Sequence, residues 1–83
     1  MAYNIAFKKS VYKDLTHISK KGAKTILDKI DRELPEIADK LPTLKGKFKG
    51  MHRYRIGNYR VIYIILEQDV LILRIYHRKD VYK

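Results

Sequence analysis

The chain has 83 residues, no cysteine and a formal net charge of +10, with 19 lysines and arginines against nine acids. This length allows one domain, 1–83, built on one small core, and the missing cysteine excludes disulfides, thiolate metal sites and cysteine nucleophiles. No apolar run approaches the roughly 20 residues of a membrane span and the N-terminus lacks a secretion-signal pattern, so a soluble, cytoplasmic protein with a polyanionic partner is expected.

Tyr3, Ile5 and Phe7 alternate with Asn4, Ala6 and Lys8, which predicts a short first strand with one buried face. Val11, Leu15 and Ile18 fall at helical spacing and predict a helix over 10–19, broken by the Ser19 to Gly22 segment. Ala23, Ile26, Leu27, Ile30, Leu34, Ile37 and Leu41 draw one apolar stripe along a second, longer helix. Pro35 should kink or interrupt that helix and Pro42 should end it. After the Leu44 to Gly50 linker the period changes to two, and a strand follows with Arg53 and Arg55 on one of its faces. Gly57-Asn58 is a hairpin signal leading into Tyr59 to Leu66, and the Glu67 to Asp69 turn leads into Val70 to His77. The near-continuous apolar character of these last two strands marks them as central or covered on both faces.

The expected fold is therefore α+β in the order β-α-α-β-β-β. Two N-terminal helices pack on one face of a small, mostly antiparallel sheet, and the first strand joins at an edge. That layout leaves the second sheet face free for function.

Charge is concentrated rather than scattered. Five of the nine acids (Asp28, Asp31, Glu33, Glu36, Asp39) lie in one stretch, and none occurs from Lys40 to Leu66. In that acid-free stretch Lys45, Lys47 and Lys49 alternate with Gly46 and Phe48, a pattern suited to a phosphate backbone, and Lys79 adds a further cation near the C-terminus. Arg53, Arg55, Arg60, Arg74 and Arg78 lie on the predicted strands or just past them, where the guanidinium fork can grip phosphate. Whether Arg60 shares a face with Arg53 and Arg55 depends on register. Arg74, within an apolar strand, is expected to pair with an acid of the second helix rather than to act on a ligand. Tyr54, Tyr59, Tyr63 and Tyr76 are read as core, while Tyr82, beyond the last strand, is open to either a packing or a functional role.

His77, beside Arg78, is the histidine placed near the basic face, where an imidazole could exchange a proton. His17 and His52 are read as packing or surface residues. No histidines stand at metal-ligand spacing, so no metal site is expected. No phosphate-binding glycine loop, serine elbow or paired-carboxylate motif occurs either. RNA carries its own nucleophile in the 2′-hydroxyl, so a cluster of arginines with one histidine or tyrosine could promote its cleavage.

Three stretches in this order resemble the RelE/ParE superfamily of toxins: Leu44-Lys-Gly-Lys-Phe-Lys-Gly50, Arg55-Ile-Gly-Asn-Tyr-Arg-Val-Ile-Tyr63 and His77-Arg78-Lys79-Asp80-Val81-Tyr82. The resemblance spans essentially the whole chain and implies the same fold. For RelE-type members it implies ribosome-dependent cleavage of messenger RNA in the A site without a cofactor, with Arg60, Arg78 and Tyr82 as functional residues. Arg53 and Arg55 then match the basic residues of the preceding strand, where other members can carry lysine. An arginine stays protonated, so the general base is left unassigned. The resemblance also implies an acidic, RelB-like cognate antitoxin in a heteromeric complex. ParE-type relatives act on DNA gyrase instead, and a non-catalytic RNA-binding module is the third reading.

Overall fold

The computed structural model describes residues 2–44 and 50–77. Strand β1 (Asn4–Phe7) turns Ile5 and Phe7 toward the core and leaves Asn4 and Ala6 exposed, as its alternation requires. Helix α1 (Lys9–Thr16) follows and buries Val11. Helix α2 (Lys20–Ile37) starts inside the segment expected as a break, because Ser19 caps it by accepting a hydrogen bond from the Gly22 N–H at 3.1 Å. Its stripe of Ile26, Ile30 and Leu34 is fully buried.

Pro35 does not interrupt α2, contrary to the expectation. It lies in the last turn, and the carbonyl that loses its partner belongs to Asp31, on the exposed side where water reaches it. The Pro35 carbonyl in turn accepts the Tyr3 N–H at 3.0 Å and ties the helix to the start of the chain. A short 3₁₀ turn, Ala38–Lys40, ends the helical region before Pro42 is reached. No helix among the described residues is long and apolar enough to cross a membrane.

Strands β2 (His52–Ile56), β3 (Tyr59–Leu66) and β4 (Asp69–His77) form an antiparallel meander. Strand β1 adds to β4 in parallel, giving the order β1-β4-β3-β2, with the two most apolar strands in the centre. The helix-facing side carries Tyr54, Ile56, Val61, Tyr63, Val70, Ile72 and Ile75, all buried against the stripe of α2 and Val11 of α1. Burying one such aliphatic side chain contributes about 1.5–3 kcal/mol.

The two hairpins turn on residues with positive φ. Gly57 (φ +57°) meets this requirement freely, whereas Glu67 (φ +58°) holds the same conformation with a side chain. Such a residue costs about 1–3 kcal/mol against about 0.5–1 kcal/mol for the extra freedom of glycine. Glu67→Gly is therefore expected to stabilise the fold by about 1 kcal/mol, read as a raised midpoint in urea with an unchanged slope.

Strand β4 breaks period two. Pairing steps from Ile62–Arg74 to Tyr63–Ile72, so Leu73 is an extra residue. Before this bulge Val70 and Ile72 face the core; after it Ile75 does, and Arg74 and Tyr76 are turned to the other sheet face.

Beyond Phe7 no strand among the described residues covers the edge of β4, and α1 takes that place with its side chains. The Ser10 hydroxyl donates to the Leu73 carbonyl at 2.7 Å, and Asp14 Oδ2 accepts the buried Ile75 N–H at 2.9 Å. Two backbone groups that a neighbouring strand would have paired are thus satisfied by a helix.

Candidate functional site

Residues directly opposite one another in a sheet share a face, so the register assembles two rows on the side away from α2. One row is Arg55, Arg60 and Tyr76, and the other is Arg53, Ile62 and Arg74. Arg60 therefore joins Arg53 and Arg55. Between the rows lies a groove of about 430 Å³. Ile62, Leu44, Met51 and Leu73 supply its apolar lining, Lys8, Arg53, Arg60 and Arg74 its cations, and Tyr76 an aromatic ring. Arg55 stands exposed beside it.

The electrostatics are unbalanced. Arg55 and Arg60 face each other across the ladder, a like-charge pair that destabilises the sheet. Arg60 Nε is buried and has no hydrogen-bond partner among the described residues. A buried donor without an acceptor costs about 1–3 kcal/mol, and an anion in the groove would relieve both penalties at once.

Arg74 is the exception. Its Nε and Nη2 donate to Asp14 Oδ2 and Oδ1, each at 2.9 Å, in a two-pronged ion pair. These bonds raise its pKa further above the ordinary arginine value. The expected partner on the second helix is corrected to Asp14 on α1, because the bulge swings Arg74 toward the edge that α1 covers.

Strand β2 is pinned from below. Tyr54, between Arg53 and Arg55, points to the core face, where its hydroxyl donates to Glu33 of α2. Tyr63 donates to the Ala38 carbonyl at 2.6 Å. Burial, and then Glu33, push the Tyr54 phenol above its usual 10.0, and burial, then Asp39 and Tyr3, do the same for Tyr63. The unfolded chain loses these protons near pH 10 while the folded chain keeps them, so stability is lost as pH rises above 10. Tyr54→Phe is expected to reduce that decline by about 1.4 kcal/mol in total between pH 9 and 11, measured by urea unfolding.

His77 is not near the basic face. It falls on the core-facing parity of β4, edge-on to Tyr59 at 5.2 Å between ring centroids, and lines a separate groove with Ser19 and Lys29 of the α2 side. The bulge is the cause: it moves Tyr76, not His77, to the arginine face. His52 packs as expected, stacked on Tyr63 at 5.1 Å with its Nδ1 2.9 Å from the Leu41 carbonyl oxygen. Lys45, Lys47, Lys49, Arg78, Lys79 and Tyr82 lie outside the described residues.

Three contributors were not singled out from sequence: Lys8, Tyr76 and Asp14. Lys8 was legible, since it continues the outward parity of Asn4 and Ala6. Tyr76 and Asp14 were not, because the first depends on the bulge and the second on α1 crossing the β4 edge.

The sequence profile described as ParE toxin of type II toxin–antitoxin system, parDE, matches residues 5–82. Toxin RelE3 of Methanocaldococcus jannaschii is 31% identical, over 94% of this chain and 93% of that protein. The toxin in the RelBE2 toxin–antitoxin complex of Mycobacterium tuberculosis shares the fold with a TM-score of 0.87 at 23% identity, over 94% of this chain and 100% of that one. The archaeal RelE–RelB complex of Pyrococcus horikoshii matches with a TM-score of 0.67 at 27% identity, over 96% of this chain and 99% of that one. With its two helices, its four-stranded mixed sheet and these matches along its length, the chain belongs to the RelE/ParE family of toxins from type II toxin–antitoxin systems.

Proposed function

We propose that this toxin is a ribosome-dependent endoribonuclease of the RelE type, which cuts messenger RNA in the ribosomal A site and so stops translation in the cytoplasm. The observation that carries this reading is Arg60: a guanidinium whose buried Nε has no partner among the described residues, set opposite Arg55 and lining the same groove as Arg53. Such a group is arranged for an anion that the described residues do not supply.

In this reading the RNA's own 2′-oxygen attacks the adjacent phosphorus and the bond to the 5′-oxygen of the next nucleotide breaks. The 2′-hydroxyl loses its proton and the departing 5′-oxygen gains one, two transfers that side chains can carry without a metal ion. Arg60 stabilises the charge that builds on the phosphate oxygens, and Arg53 and Arg55 hold the phosphate in place. Arg78 neutralises the leaving side, and Tyr82 stacks on a base or joins the proton transfer. Lys45, Lys47, Lys49 and Lys79 grip the backbone. His77, turned to the opposite side of the sheet, has no part in this scheme. An acidic, RelB-like antitoxin would restrain the toxin in a heteromeric complex, covering the cationic groove and offsetting its charge.

The test is primer extension on a defined message in a purified translation system. Stops at the A-site codon that require ribosomes and vanish with Arg60→Ala are expected. The ParE description of the matching family favours a second reading, gyrase poisoning. A DNA-damage response on expression, with messages intact, would select it. RNA binding with steep salt dependence and neither effect would mark a non-catalytic module.

A further inference from the structure

We propose that Arg74 and Tyr76 form a platform that stacks a nucleobase in the groove, beside the phosphate position at Arg60. The proposal rests on the reading of the groove as an RNA site and adds a subsite to it. Both residues reach the groove face only because Leu73 is inserted into β4; unbroken alternation would have carried them into the core. Once there, they are not left loose. Asp14 holds Nε and Nη2 of Arg74 at 2.9 Å each, which fixes the guanidinium plane, and its Cζ sits 5.4 Å from the centre of the Tyr76 ring.

The pairing with Asp14 spends the two donors on one side of Arg74, and those on Nη1 have no partner among the described residues. Its side chain is 51% exposed, so the guanidinium is not a buried structural ion. A planar cation stacked on a tyrosine, with an acid locking its orientation, is the chemistry that receives a base face. Tyr76 is directly opposite Arg60, one strand spacing away, so one nucleotide spans both groups. Ile62 and Leu73 supply apolar surface beneath it. The ligand class is a nucleobase of single-stranded RNA, taken by stacking, with tolerance of base identity.

The test uses the full chain and fluorescent RNA hexamers, 2′-O-methylated so that they are not cut, with one base removed at each position in turn. Anisotropy titrations at low salt are expected to show one position whose loss weakens binding about tenfold. That loss should vanish in Tyr76→Val and persist in Tyr76→Phe, while Arg60→Ala weakens intact and abasic RNAs alike. Should Tyr76→Val fail to fold, Arg74→Met removes the planar cation and is expected to abolish the same base dependence. An abasic effect undiminished in these variants, no sensitive position, or no binding of the hexamers overturns the platform. Primer extension on the unaltered chain separates the two proposals. Cleavage without base dependence overturns the platform alone, and base dependence linked to Tyr76 without cleavage overturns the nuclease reading alone.

Discussion

Arg60→Ala is expected to lower A-site cleavage about 100- to 1000-fold, the loss typical of one charge-stabilising donor, and to leave the fold at least as stable as before. The two halves of this expectation share one cause. A residue kept for packing stabilises the chain it sits in, yet Arg60 faces Arg55 across the ladder and holds a buried Nε with no partner among the described residues. Removing it relieves a like-charge pair and an unsatisfied donor, while the lost aliphatic stem takes back some of that gain. Arg60→Met keeps the stem, so it should show the stabilisation more cleanly, by up to about 1 kcal/mol, with the same loss of cleavage. Single-turnover primer extension and urea unfolding of the same preparations measure both. A variant that is destabilised and still cuts would make Arg60 a packing residue and sink the assignment.

Why this cluster was legible in part follows from the periods involved. Arg53 and Arg55 are two apart on one strand, so their shared face needed no structure. Gly57-Asn58 sets the β2–β3 register, which decides that Arg60 opposes Arg55 and not its neighbour. The first inference is local and was readable; the second depended on register, which sequence alone left open and the β2–β3 pairing decides. The order of elements and the central place of β3 and β4 were equally readable, because apolar continuity reports burial on both faces.

What sequence hid was hidden by one inserted residue and one crossing. An apolar run such as Val70 to Tyr76 carries no mark of a bulge, so unbroken alternation puts Tyr76 in the core and frees His77 for the arginine face. The structure exchanges them. Arg74 was recognisable as needing an acid, but α2 and the turn after it hold five, from Asp28 to Asp39, and α1 holds only Asp14, so counting favoured the wrong helix. Geometry chose Asp14 because α1 stands where β1 ends, against the unpaired edge of β4. Pro35 misled in a simpler way: in the last turn of α2 the helix ends two residues later, and the carbonyl that Pro35 leaves unpaired is on the exposed side.

That edge gives the second large effect, in stability. Asp14→Ala is expected to cost about 3 kcal/mol and to lower the melting midpoint by more than about 10 °C in a chain of this size. Asp14 is 90% buried as a side chain and accepts three hydrogen bonds, two from Arg74 and one from the Ile75 N–H. The larger share comes from Ile75. Its residue is 1% exposed, so its amide cannot turn to water, and an orphaned buried donor costs about 1–3 kcal/mol. The ion pair adds less, about 0–1 kcal/mol, because half of the Arg74 side chain is in solvent. Total stability for a domain of 83 residues is only about 4–12 kcal/mol, so this single carboxylate holds a large part of it. The order of three variants tests the division. Asp14→Asn keeps an acceptor for Ile75 and should lose about half as much as Asp14→Ala, while Arg74→Met, which leaves Asp14 on the Ile75 amide, should lose least. If Arg74→Met were the costliest of the three, the ion pair would be the anchor of the α1–β4 edge. If Asp14→Ala stayed within about 0.5 kcal/mol of the parent, α1 would not be held there by this contact at all.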